Sequence, residues 1–148
     1  MTSISQRHFI KCPYGLAKSF LETELAAADG GHLEWRLHVA PASSHGVDLS
    51  KDVDVVVTRA VDPMHFDQPW KVRWTPHGGG PYPSFTGDLT VRADEDWDVA
   101  ALELSGSYEP PLGIVGKAFD ALLGSRLAVT TAEALLTEIG DRLIRRYT

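Results

Sequence analysis

Residues 102–147, LELSGSYEPPLGIVGKAFDALLGSRLAVTTAEALLTEIGDRLIRRY, decide the fold. A strand-like run over 102–108 ends at Pro110-Pro111, and from Leu112 to Tyr147 the pattern is helical. At about 100° per residue, Leu112, Val115, Phe119 and Leu122 form one apolar stripe. Ala128, Ala132, Leu135, Leu136, Ile139 and Leu143 form a second, rotated from the first by roughly one residue step. Gly124-Ser125 lies at the offset, and Thr130 with Glu133 has capping-box spacing. The pattern favours a kinked helix starting near Leu112. The alternative is a true break, with the main helix beginning near Thr130.

Upstream the period changes from helical to alternating. Leu33, Trp35, Leu37 and Val39 alternate with Glu34, Arg36 and His38, as in a half-buried antiparallel strand. After a loop at 41–46 the same period returns in Val47, Leu49, Val53, Val55 and Val57, with Asp52 and Asp54 on the other face. Trp70, Val72 and Trp74 alternate with Lys71 and Arg73. Phe85, Leu89 and Val91 alternate with Thr86, Asp88, Thr90 and Arg92. Asp94-Glu95-Asp96 reads as a hairpin tip, followed by a last strand over 99–108. At the N-terminus, residues 3–11 form a first strand with Ile4, Phe9 and Ile10 as apolar members. Pro13 suits a first helical position. Leu16, Phe20, Leu21 and Leu25 recur at helical spacing until Gly30-Gly31 stops the helix. The order is strand, short helix, strands, long terminal helix. That is an α+β chain in which one antiparallel sheet wraps one helix.

A chain of 148 residues is one domain, 1–148, with room for a core that needs no disulfide or metal. Its net charge of −6 argues against nucleic acid as a partner. A single cysteine, Cys12, fits a reducing, cytoplasmic setting. The opening residues show no secretory signal, and no run approaches the roughly 20 apolar residues that span a bilayer.

Two segments resemble a known family. FIKCPYGLAKSFLETE, residues 9–24, is similar to the strand-Pro-helix opening of the START-like superfamily, also called SRPBCC, whose members include polyketide cyclase-like proteins. SYEPPLGIVGKAFDALLGSRLAVTTAEALLTEIGDRL, residues 107–143, resembles the ending of many of its bacterial members, where a Pro-Pro-Leu-Gly turn leads into the long helix. Neither segment is a catalytic signature. The resemblance implies a helix-grip fold: a sheet of about seven strands curled around the C-terminal helix, with an apolar cavity between. The offset near Gly124 departs from the family pattern.

Side chains with chemistry are few and scattered. His77-Gly78-Gly79-Gly80 resembles an esterase oxyanion-hole motif, but no G-x-S-x-G accompanies it, so a loop between strands is the better reading. The six histidines (His8, His32, His38, His45, His65, His77) show no metal-binding spacing. Asp94, Glu95, Asp96 and Asp98 lack calcium-loop spacing. No metal or cofactor is expected. Cys12 precedes the helix start, where a thiol can be activated, although a small buried residue is the default. Glu103 points to solvent if Ala100, Leu102 and Leu104 face the core, and into the cavity if the register slips by one. Arg59 shares the inward parity of Val53, Val55 and Val57 and would suit a ligand carboxylate there. Arg126 falls in the first helical stripe and faces either the cavity or a salt bridge at its rim.

Trp35, Trp70, Trp74 and Phe85 all fall on the apolar parity of their strands. They would fill the core or line the cavity. With Val55, Val57, Arg59, Leu102, Tyr108, Phe119 and Arg126 they form the candidate ligand-binding set. The function expected is binding of a hydrophobic small molecule, such as a lipid, isoprenoid or aromatic polyketide-like compound, by a monomer or homodimer with no membrane insertion. One alternative is a cyclase or dehydratase working in the same cavity, which needs a positioned acid or base. The other is a protein-interaction module whose cavity is filled.

Overall fold

Alternation along each strand sorts its side chains between a helix-facing and a solvent-facing side, and the sheet follows from that sorting. The computed structural model describes residues 2–27, 32–39, 51–59, 70–79, 82–95, 98–109 and 121–147. In chain order these form β1 (Thr2–Ile10), α1 (Tyr14–Ala27), β2 (His32–Val39), β3 (Lys51–Arg59), β4 (Trp70–Pro76), β5 (Ser84–Ala93), β6 (Ala100–Glu109) and α2 (Ala121–Tyr147). Among the described residues the sheet has six strands in the order β1-β6-β5-β4-β3-β2, antiparallel throughout. It is curved and open, with β1 and β2 as its edges. The resemblance implied about seven strands; residues 40–50, 60–69 and 110–120, including Val47 and Leu49, lie outside the described residues.

Register aligns the inward residues in rows. Trp35, Val55, Trp74, Phe85 and Tyr108 stand side by side across β2, β3, β4, β5 and β6. The next row runs Leu33, Val57, Val72, Gly87, Gly106 and Ile4. Gly87 and Gly106 face each other across β5 and β6. A Cβ at Gly87 would run into the Ser105 carbonyl, one at Gly106 into the Thr86 carbonyl, and either into the Phe85 ring. Only glycine lets the two backbones close up this far, and the Phe85 ring covers the gap.

Both helices pack on the concave face. α2 runs unbroken from Ala121 to Tyr147, so the helix does not start afresh at Thr130. Its second apolar stripe is buried as the periodicity predicts, from Ala128 and Ala132 through Leu135, Leu136 and Ile139 to Leu143. Leu112, Val115 and Phe119 of the first stripe lie outside the described residues. Gly140 brings α2 down onto β1: a Cβ there would meet Ile10 Cγ2 at 2.9 Å and the His8 ring at 3.1 Å. Tyr82, between β4 and β5, is tied to α2. The Thr131 hydroxyl donates to the Leu127 carbonyl at 2.6 Å, so it is the Tyr82 hydroxyl that donates to Thr131.

α1 begins one residue after Pro13, whose carbonyl accepts the first helical bond from Ala17 N at 3.0 Å. Its inward face is Ala17 and Leu21 with half-buried Phe20. Leu16, which shares helical spacing with Phe20, is 51% exposed, because it sits about 100° around the helix from Ala17. Phe9 is likewise exposed: β1 turns Ile4 and Ile10 inward, so the odd-numbered Phe9 points out, with the Arg7 guanidinium 5.9 Å from its ring centre.

Candidate functional site

Not every part of the space between sheet and helices is filled. Around Trp74 and Phe85 the inward side chains are buried. Trp74 and Phe85 stack with ring centres 4.2 Å apart, and Trp74 Nε1 donates to the Pro83 carbonyl at 3.2 Å. Val55, Leu102 and Tyr108 are buried in the same core. Toward the β2 edge the packing opens into a pocket. Its floor is Leu33 and Trp35 of β2, Val57 of β3, Trp70 of β4 and Leu89 of β5. Phe20 and Leu21 of α1 form one wall, and Ile139 and Arg142 of α2 the other. About 420 Å³ of empty space lies within it, open mouth included.

The lining is apolar except at Arg142. The Arg142 guanidinium carbon lies 5.1 Å from the Trp35 ring centre, and Arg142 Nε donates to Glu138 Oε1 at 3.1 Å, one helical turn back. The arginine side chain is 37% exposed, which puts the charge at the mouth rather than the floor. Beneath it, Trp35 Nε1 is buried with no hydrogen-bond partner among the described residues. A buried donor left unpaired costs about 1–3 kcal/mol.

The candidate residues therefore divide. Trp35, Val57 and Trp70 line the pocket. Val55, Trp74, Phe85, Leu102 and Tyr108 are buried in the core outside that lining. Arg59 stands opposite Trp70 at the end of β3, but its side chain lies outside the described residues, as does all of Phe119. Arg126 is exposed near the start of α2. Phe20, Leu21, Leu33, Leu89, Ile139 and Arg142 are lining residues outside the candidate set. Arg142 carries a faint sequence signal: it follows inward Ile139 by three residues and precedes inward Leu143, which places it on the flank of the buried stripe.

Other ionisable groups sit away from this pocket. Ala100, Leu102 and Leu104 face the core, so Glu103 points to the convex side. There it pairs with Arg7 on β1 and accepts from Arg92 Nε on β5 at 2.8 Å. Also outward are His38, with Nδ1 2.7 Å from Asp52 Oδ1, and His77, with Nδ1 3.0 Å from Asp54 Oδ2. The hydrogen bond from His38 is the largest of the influences that hold the Asp52 carboxyl below its ordinary value. His77 opens a tight turn closed by Gly79 N to the Pro76 carbonyl at 3.1 Å. Gly78 and Gly79 there take φ of 75° and 77°, a region glycine enters without strain. Asp94 N bonds the Val99 carbonyl at 3.0 Å across the β5–β6 connection, and Asp94 and Glu95 are exposed. Burial pushes the Cys12 thiol up, the direction opposite to an activated nucleophile. Burial also raises Tyr82, against the opposing hydrogen bond to Thr131. Among the described residues, no three His, Cys, Asp or Glu side chains converge on a possible metal position, and no helix is long and apolar enough to cross a membrane.

No family model matches the chain, and no curated protein matches it. Solved structures do. The Zhui aromatase/cyclase from Streptomyces sp. R1128 superposes with a TM-score of 0.60 at 15% identity, covering 99% of this chain and 96% of that one. TTHA0849 from Thermus thermophilus gives a TM-score of 0.53 at 17% identity, covering 99% of this chain and all of the other. At these identities the likeness shows a shared fold: a curved antiparallel sheet gripping a C-terminal helix.

Proposed function

We propose that this protein is a START-like helix-grip protein that binds an apolar small molecule in the pocket between α1, the β2–β5 floor and the C-terminal half of α2. The observation that carries the reading is the lining: Arg142 is its single charged residue, and the other lining side chains are aliphatic or aromatic. Small-molecule sites have this character, a largely apolar surface with few fixed polar groups. Burial of ligand surface supplies the affinity, at about 25 cal/mol per Å² before ordering costs are subtracted. A ligand seats one ring or chain end on Trp70 and Leu89 and leaves its remainder in the mouth.

The aromatase/cyclase among the structural relatives raises cyclase-type chemistry as a second reading. That chemistry needs a proton donor or acceptor beside the substrate. Among the described residues the pocket lining holds Arg142 as its one ionisable side chain, with no carboxylate, imidazole or phenol beside it. Binding is the better-supported reading.

The test is titration of the protein with N-phenyl-1-naphthylamine, a neutral probe whose fluorescence rises in apolar surroundings. Saturable binding to the wild type is expected, with loss of binding in Val57→Phe, which adds a ring to the floor. Thermal unfolding checks that the variant folds. Equal binding by a folded Val57→Phe protein would place the probe elsewhere and refute the reading.

A further inference from the structure

The corner of the pocket formed by β2 and α2 holds two polar groups that an apolar ligand would leave unused. One is the Arg142 guanidinium. It is fixed from two sides, by the Trp35 ring beneath it and by Glu138 on Nε, and among the described residues Glu138 is the carboxylate that reaches it. Nε is one nitrogen of a planar fork whose terminal nitrogens carry four further N–H donors. The other is the Trp35 Nε1–H, buried without a partner among the described residues. A cation held over an aromatic ring at the mouth of an apolar pocket is already ordered before a ligand arrives, so little freedom is lost when an anion meets it. Everything deeper in the pocket is apolar, which confines an anionic group to this corner.

We propose that the ligand is an apolar acid: a ring or short chain seated on Trp70 and Leu89, with one carboxylate at the mouth received by Arg142. The proposal rests on the pocket being the binding site and adds the chemistry of the ligand's polar end. Arg142 acts here as a binding residue. Trp35 holds it in position from beneath.

The experiment compares 2-naphthoate with methyl 2-naphthoate by calorimetry at pH 7, where the acid is ionised and its ester is a neutral counterpart with the same rings. The wild type is expected to bind the acid at least about tenfold more tightly, the scale of a charge-assisted hydrogen bond. In Arg142→Met, which keeps an apolar stem of similar length, the ratio of acid to ester affinity falls toward one. In Arg142→Lys, which restores the charge without the fork, it recovers in part. Thermal unfolding of each variant checks the fold. Two results overturn the proposal and leave the pocket reading standing: acid and ester binding the wild type equally, or an acid preference undiminished in Arg142→Met. Binding of neither compound overturns both.

Discussion

Replacing Trp74 by alanine separates buried core from pocket, and its cost follows from the contacts the side chain makes. The side chain is fully buried, so truncation removes its entire apolar surface and leaves a cavity beside Phe85 on the inner face of β4. Losses of this kind run at about 3–5 kcal/mol. The Phe85 stack at 4.2 Å contributes about 0.5–1.5 kcal/mol more, and the Pro83 carbonyl loses its donor. These losses overlap and do not simply add. The lower figure alone is a large share of the roughly 5–15 kcal/mol that a domain has in total. Trp74→Ala should therefore lower the unfolding midpoint by roughly 10 °C or more. Trp74→Phe keeps a ring against Phe85 and loses the N–H bond and part of the surface, so its loss should be about 1–3 kcal/mol. Urea unfolding at equilibrium, followed by far-UV circular dichroism, measures both. A Trp74→Ala protein destabilised by less than about 1 kcal/mol would refute the packed row on which the placement of the pocket depends.

Two further changes probe the helix contact and the outer face. At Gly140 the helix approaches β1 so closely that Gly140→Val should cost about 1–3 kcal/mol by overpacking, whereas Gly140→Ala should be near neutral, its tight contact offset by a helix-propensity gain of about 1 kcal/mol. Urea midpoints decide this, and a neutral valine would mean that α2 does not rest on Ile10 and His8. Asp52, held below its ordinary value of 3.8, contributes stability above that value, and the contribution is lost as pH falls through the lowered folded value. Asp52→Asn should lose less stability than the wild type between about pH 5 and pH 2, as read by unfolding at a series of pH values; identical acid sensitivity would show that the His38 contact does not favour the carboxylate.

Much of the fold is legible in the sequence because half-buried antiparallel strands must alternate. Trp35, Val55, Trp74, Phe85 and Tyr108 share inward parity, and the structure sets them in one row. Glu103 resolves by the same rule, since Leu102 and Leu104 point inward around it. The inward stripe of α2 is legible for a similar reason, at helical rather than alternating period. What parity does not convey is which part of the inward face stays open. That depends on where α1 and α2 come to rest, and two of their placements turn on single residues: Gly140 seats α2 on β1, and Ala17 rather than Leu16 sets the inward face of α1. Phe20, Leu21 and Ile139 become pocket walls through that docking. Arg142 sits among Asp141, Arg145 and Arg146, a neighbourhood that reads as a solvated helix end. Its contact with Trp35 joins the last helix to the second strand, a pairing with no local trace in either segment.

Where an apolar molecule binds is measured in one experiment by methyl-resolved NMR of the wild type titrated with N-phenyl-1-naphthylamine. The largest shifts are expected on the methyl groups of the lining residues Leu33, Val57, Leu89 and Ile139, with those of Val53, Val55 and Leu102 much less affected. Shifts centred instead on exposed Leu16, or none at saturating probe, would contradict the pocket reading.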